Sequence, residues 1–216
     1  MTQIKRPFGA KASGEREGGF LLRLLLLASF FACGVILGQV VSGRVPDGTA
    51  PELNRYLTDY LTLSKDAGFS GRAFLSSLLM YLRYPLLAFL LGFASIGIVL
   101  LPLLSAAYGF FLSFSVCCFA AAFGRNGILL ALSVFGIRCL ISLPCFFFLA
   151  VPSFRNASAL AAASFGRKNR RIPPVRYPSS WWLRLCGALA VLMAGAISEM
   201  LFAPYLLDAV LSRILI

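Results

Sequence analysis

The chain has 216 residues, of which 59% are hydrophobic and 13% charged, and its mean hydropathy is +0.85. A soluble domain carries charge on about a quarter of its positions, so an ordinary water-soluble enzyme is excluded and an integral membrane protein is expected. Twenty Lys and Arg against eight Asp and Glu give a net charge of +12; in a membrane chain such an excess reports orientation first, and nucleic acid is not an expected partner.

The tail, residues 1–19, carries Lys5, Arg6, Lys11 and Arg16. It leads into the first expected span, 20–41, with Arg23 just inside. Basic residues before an apolar stretch resemble a secretory signal, but bulky Phe30 and Phe31 precede Ala32, and the run continues to Val41. An uncleaved anchor is expected. Residues 42–83 form a nearly charge-balanced external segment. After a loop at 44–51, Leu53, Tyr56, Leu57, Tyr60, Leu61 and Leu63 recur at helical spacing; a break at 68–71 precedes a second helix with Phe74, Leu75, Leu78, Leu79 and Leu82. Two amphipathic helices are expected, lying on the outer leaflet, on a partner, or as a cap over the protein's own bundle.

Four further spans are expected at 84–101, 104–123, 127–151 and 181–203. The second and third are nearly continuous, but together they far exceed the ~20 residues of one crossing. A hairpin around Pro102 is therefore expected in preference to one broken helix or a re-entrant feature. The connection 152–180 carries Arg155, Arg167, Lys168, Arg170, Arg171 and Arg176 and no acidic residue, and 204–216 is an external tail. With five spans, the two basic segments fall on one side, and the positive-inside rule makes that side the cytoplasm. The expected fold class is all-α: a polytopic helical membrane protein of about five transmembrane helices, N-terminus cytoplasmic, with an external amphipathic helical segment between helices one and two.

Chemistry is sparse. There is no histidine, which removes the usual activating base for Ser or Cys nucleophiles and the commonest metal ligand. Cys33, Cys117, Cys118, Cys139, Cys145 and Cys186 lie in apolar runs without a C-x-x-C spacing and read as packing residues. Asp59 and Asp66, seven residues apart, share a helical face, but their interleaving with Arg and Lys reads as a solvated surface. No catalytic residue, cofactor or metal is expected.

Two charges fall inside apolar runs. Arg138 lies near the middle of the fourth expected span, where a charge costs at least ~2.5–3.5 kcal/mol on insertion scales. Glu199, late in the fifth, is the acidic candidate for a polar pair, with Arg83 as a competitor for it. At ~1.5 Å per residue Arg138 lies roughly 16 Å deep and Glu199 shallower. Three arrangements accommodate this: an ion pair or snorkelling, a water-lined pocket, or a span boundary placed differently. Small residues mark helix packing: Gly34 and Gly38 form G-x-x-x-G, with Gly92, Gly97 and Gly109 in the next spans. Internal packing is favoured over homodimerisation, since such residues let any two helices approach in lipid.

The order of these features carries a resemblance. Gly34-Val35-Ile36-Leu37-Gly38 is followed by Leu53-Asn54-Arg55-Tyr56-Leu57, then Tyr81-Leu82-Arg83-Tyr84 and Leu91-Gly92-Phe93-Ala94-Ser95-Ile96-Gly97. Leu101-Pro102, Tyr108-Gly109-Phe110 with Phe114, residues 124–130 and Ser142-Leu143-Pro144 continue the series. Over residues 31–160 the chain resembles the stage II sporulation protein M family. The resemblance implies a non-catalytic scaffold in the mother-cell membrane at the sporulation septum, recruiting the peptidoglycan hydrolases known as stage II sporulation proteins P and D during engulfment. On that reading the docking face includes Tyr56, Leu57, Tyr60 and Leu61, and membrane lipid is the other partner. The alternative is a small-solute or ion permease using Arg138 and Glu199; a membrane-embedded enzyme is a weaker third reading.

Overall fold

Apolar runs in lipid leave the backbone few ways to satisfy its own N–H and C=O groups, and the helix satisfies them within one segment. The computed structural model describes residues 10–43, 71–164 and 179–214. They form four helices: α1 (Ala10–Ser42), α2 (Gly71–Leu91), α3 (Gly97–Ser164) and α4 (Ser179–Ile214); among the described residues there is no strand. Gly19–Ser42, Gly97–Ala121, Arg138–Ser164 and Trp181–Glu199 are long and apolar enough to cross a membrane, and Ser77–Leu91 is a shorter apolar helix. The chain is a polytopic helical membrane protein.

The 68 residues of α3 would extend about 100 Å as a straight rod. They do not. The Tyr108 ring lies 5.4 Å from that of Phe146, and a side chain at Gly97 would meet Ala157 at 3.0 Å. Residues 38 and 60 positions apart touch only if α3 doubles back, so Gly97–Ala121 and Arg138–Ser164 are antiparallel arms. The midpoint of both pairs is 127, beside Gly124-Arg125-Asn126, which separates the expected spans 104–123 and 127–151.

Contacts between helices fix the remaining directions. The Ser105 hydroxyl donates to the Leu27 carbonyl at 2.9 Å, and Gly38 lies against Phe110 and Ser113; numbers rise together, so α1 runs parallel to the first arm of α3. Tyr81 donates to the Gly195 carbonyl at 3.4 Å while Phe89 packs on Trp181 at 5.0 Å, so α2 is antiparallel to α4. Met80 reaches Arg138 and Gly92 reaches Ser153, which makes α2 parallel to the second arm. The five apolar segments therefore alternate in direction along the chain.

One boundary differs from the sequence reading. The break between the second and third apolar segments falls at Gly92–Ile96 rather than around Pro102, which is buried inside α3. Backbone bonds spanning three residues carry the break: Gly92 to Phe89, Phe93 to Leu90, Ala94 to Leu91 and Gly97 to Ala94. This tight path brings Gly97 onto the Leu91 carbonyl, where any side chain collides. α3 continues as helix through Pro144 and Pro152 to Ser164, past the expected span 127–151, and α4 continues as helix to Ile214, past the expected span 181–203.

The core unites the segments. Leu27 of α1, Ala88 of α2, and Leu101, Tyr108, Phe146 and Ala150 from both arms of α3 form one buried cluster. Within it Tyr84 stacks on Tyr108 at 4.3 Å, and Phe31 meets Tyr108 edge-on at 6.0 Å. Aromatic pairs of this geometry add about 0.5–1.5 kcal/mol beyond their buried area.

Candidate functional site

The second arm of α3 presents Arg138 to α4, and the antiparallel crossing brings Glu199 opposite. The Arg138 Nη2 donates to Glu199 Oε1 at 2.6 Å and its Nε to Oε2 at 3.4 Å, a two-point engagement that fixes the guanidinium plane. Nη1 points to the Met80 sulfur at 3.2 Å, and the guanidinium carbon lies 5.4 Å from the centre of the Tyr81 ring. Tyr81, fully buried, interacts with both charged groups and donates to the Gly195 carbonyl. The side chains of Arg138 and Glu199 are 20% and 9% exposed.

Three helices thus meet on one ion pair. Its two charges neutralise each other, and Tyr81 and Met80 of α2 flank the guanidinium. Arg83, the competing partner, is exposed and instead lies 5.5 Å over the ring of Tyr84. The pair joins the second arm of α3 to α4, two helices that each carry a long apolar stretch. Mutual pairing offsets the cost that either charge would carry alone in lipid.

The small residues mark close approaches. A side chain at Gly34 would collide with the Ala106 backbone, one at Gly109 with the Phe31 carbonyl, and one at Gly38 would stand 2.6 Å from the Phe110 carbonyl. Gly34, Gly38 and Gly109 thus let α1 and the first arm of α3 touch backbone to backbone, an internal use of G-x-x-x-G. Gly92 and Gly97 flank the break, Gly92 lying 3.0 Å from Ser153 by the same measure. Tyr56, Leu57, Tyr60 and Leu61 lie outside the described residues. Among those described, no three His, Cys, Asp or Glu side chains gather as a metal site, and the six cysteines are free.

Sequence reasoning singled out Arg138 and Glu199 but missed Met80 and Tyr81. Their signal was present: three residues before Tyr84, Tyr81 shares a helical face with an aromatic partner of the core.

Residues 27–212 match the stage II sporulation protein M family. The chain belongs to that family. No curated relative and no solved structure matches it. The match begins at Leu27, which receives the Ser105 hydroxyl, and includes both members of the ion pair and every glycine of the close approaches. Within the stage II sporulation protein M family this chain is therefore a sporulation membrane protein whose matched region is the helical bundle itself.

Proposed function

We propose that this chain is a non-catalytic membrane scaffold that recruits and anchors peptidoglycan hydrolases, the stage II sporulation proteins P and D, at the septum during forespore engulfment. Membership of the stage II sporulation protein M family across 27–212 is the observation that carries the reading. The chemistry supports it. A chain without histidine has no ready general base at neutral pH, and the intramembrane charges are turned toward each other rather than toward a solute. The segment joining α1 to α2 supplies the docking face through Tyr56, Leu57, Tyr60 and Leu61, and it leaves the bundle on the side opposite the basic connection. The protein resides in the mother-cell membrane, with its N-terminus in the mother-cell cytoplasm.

Deletion in the host, followed by membrane staining of sporulating cells, tests this. Septa that form and then stall, with migration restored by the intact chain, support the scaffold. Normal engulfment overturns it. A Tyr56→Ala/Tyr60→Ala variant that stays in the membrane should lose the septal focus of a fluorescent hydrolase; an undiminished focus removes these residues from the docking face.

A further inference from the structure

The end of the bundle opposite the ion pair carries an excess of positive charge, with Glu15 and Glu17 the acidic residues of the adjoining tail. Leu24 and Leu27 of α1 and Phe154 of the second arm of α3 pack into the same core cluster. The Phe31 and Phe147 rings meet at 6.0 Å; eight residues back along α1 and eight forward along the antiparallel arm stand Arg23 and Arg155, which this register puts at one level of the bundle, where Arg155 acts electrostatically on the partly buried Arg23. Neither is paired with a carboxylate among the described side chains. The Arg23 guanidinium folds back along α1 over Gly19, with Nη1 3.9 Å from where a Cβ would stand, which directs the charge toward the end of the apolar segment Gly19–Ser42. Arg155 is exposed. From this same end Ser164 leads into a connection carrying five more cations and no acidic residue.

Two like charges held together by packing are unfavourable unless an anion lies between them. After Arg155 the arm changes from the Phe-rich run 146–148 to Asn156, Ser158 and small residues, and Arg23 lies near the start of the apolar run of α1, so the anion is one that a bilayer presents at headgroup level. We infer that Arg23 and Arg155 form a binding site for the phosphate of an anionic phospholipid, clamped between α1 and the second arm of α3. The acyl chains lie along the apolar outer face of α1, where Leu22, Leu25 and Leu26 are exposed. The clamp ties α1 to the second arm at the basic end, beyond the core contacts of Leu27 and Phe31 and the glycine contacts with the first arm. Clusters of this kind gain affinity for anionic lipid with each basic residue.

The test uses the full chain purified in a zwitterionic detergent and reads thermal unfolding and lipid retention by native mass spectrometry. Phosphatidylglycerol should raise the unfolding temperature and stay bound; phosphatidylcholine should do neither. Arg23→Gln and Arg155→Gln should each weaken retention about fivefold, the scale of one arginine near an anionic surface. Without added lipid each substitution should leave stability equal or higher, because repulsion is relieved. With phosphatidylglycerol the same substitutions should lower it relative to wild type. This change of sign separates a lipid clamp from a structural role and from a variant that fails to fold. Arg83→Gln, on α2, should retain lipid like wild type. Equal retention by the Arg23→Gln/Arg155→Gln double variant overturns the proposal. So does equal protection by inorganic phosphate, which would make this a site for a free anion.

Discussion

Arg138 and Glu199 illustrate how a single contact is legible before its surroundings are. Two opposite charges in otherwise uncharged apolar runs stand out in any reading of the chain, because each is costly alone in lipid. Their 2.6 Å contact makes removal of either one worse than removal of both. Arg138→Leu or Glu199→Leu should each destabilise by about 3–5 kcal/mol, while the double Leu variant should be far less affected. Unfolding titrations of the three variants in bicelles check this; additive single effects would show that the groups do not depend on each other. Glycines separate just as cleanly. Gly109→Ala places a methyl on the Phe31 carbonyl and should cost about 1–3 kcal/mol as overpacking. Gly187→Ala meets nothing within 4 Å and should stabilise α4 by about 0.5–1 kcal/mol. Sequence shows both glycines on apolar helices; which one faces a neighbouring backbone depends on how the helices cross.

At the scale of elements, helices follow from apolar runs, but their ends were read from the wrong residue. Proline draws attention as a helix breaker because it lacks an N–H and clashes with the preceding turn. Pro102, Pro144 and Pro152 nevertheless all lie inside α3, and in membrane helices neighbouring segments accommodate such sites. The actual break uses Gly92 and Gly97, because only a residue without a Cβ lets the chain reverse against Leu91. Pro102→Ala should therefore leave unfolding stability at or above wild type, whereas Gly97→Val should lower it sharply, measured by the same titration. The opposite ranking would return the break to Pro102. The reversal within α3, by contrast, was legible, because the expected spans 104–123 and 127–151 leave Gly124, Arg125 and Asn126 between them as a polar interruption of a long apolar stretch.

For the whole molecule, alternating segment directions place the N-terminal tail and the 165–178 connection at one end, and the α1–α2 segment and the turn of α3 at the other. Cysteine-free protein carrying Lys11→Cys or Lys168→Cys should react with a membrane-impermeant maleimide only after permeabilisation. Tyr60→Cys and Arg125→Cys should react in intact protoplasts. Different accessibility of Lys11→Cys and Lys168→Cys would break the five-segment topology.

By itself the sequence determined the membrane class, the helical fold, the two charges that must find partners and the asymmetry of basic residues between the two ends. Each of these follows from local composition, since lipid penalises unsatisfied backbone and isolated charge wherever they occur along the chain. Tertiary structure alone decided that α1 lies parallel to the first arm of α3 and that Arg138 takes Glu199 rather than leaving it to Arg83. It alone set Tyr81 and Met80 beside that pair and brought Arg23 and Arg155 to one level of the bundle. These depend on which helix faces which, and that choice is made by close packing among residues far apart in sequence, where one Cβ admits or forbids an approach.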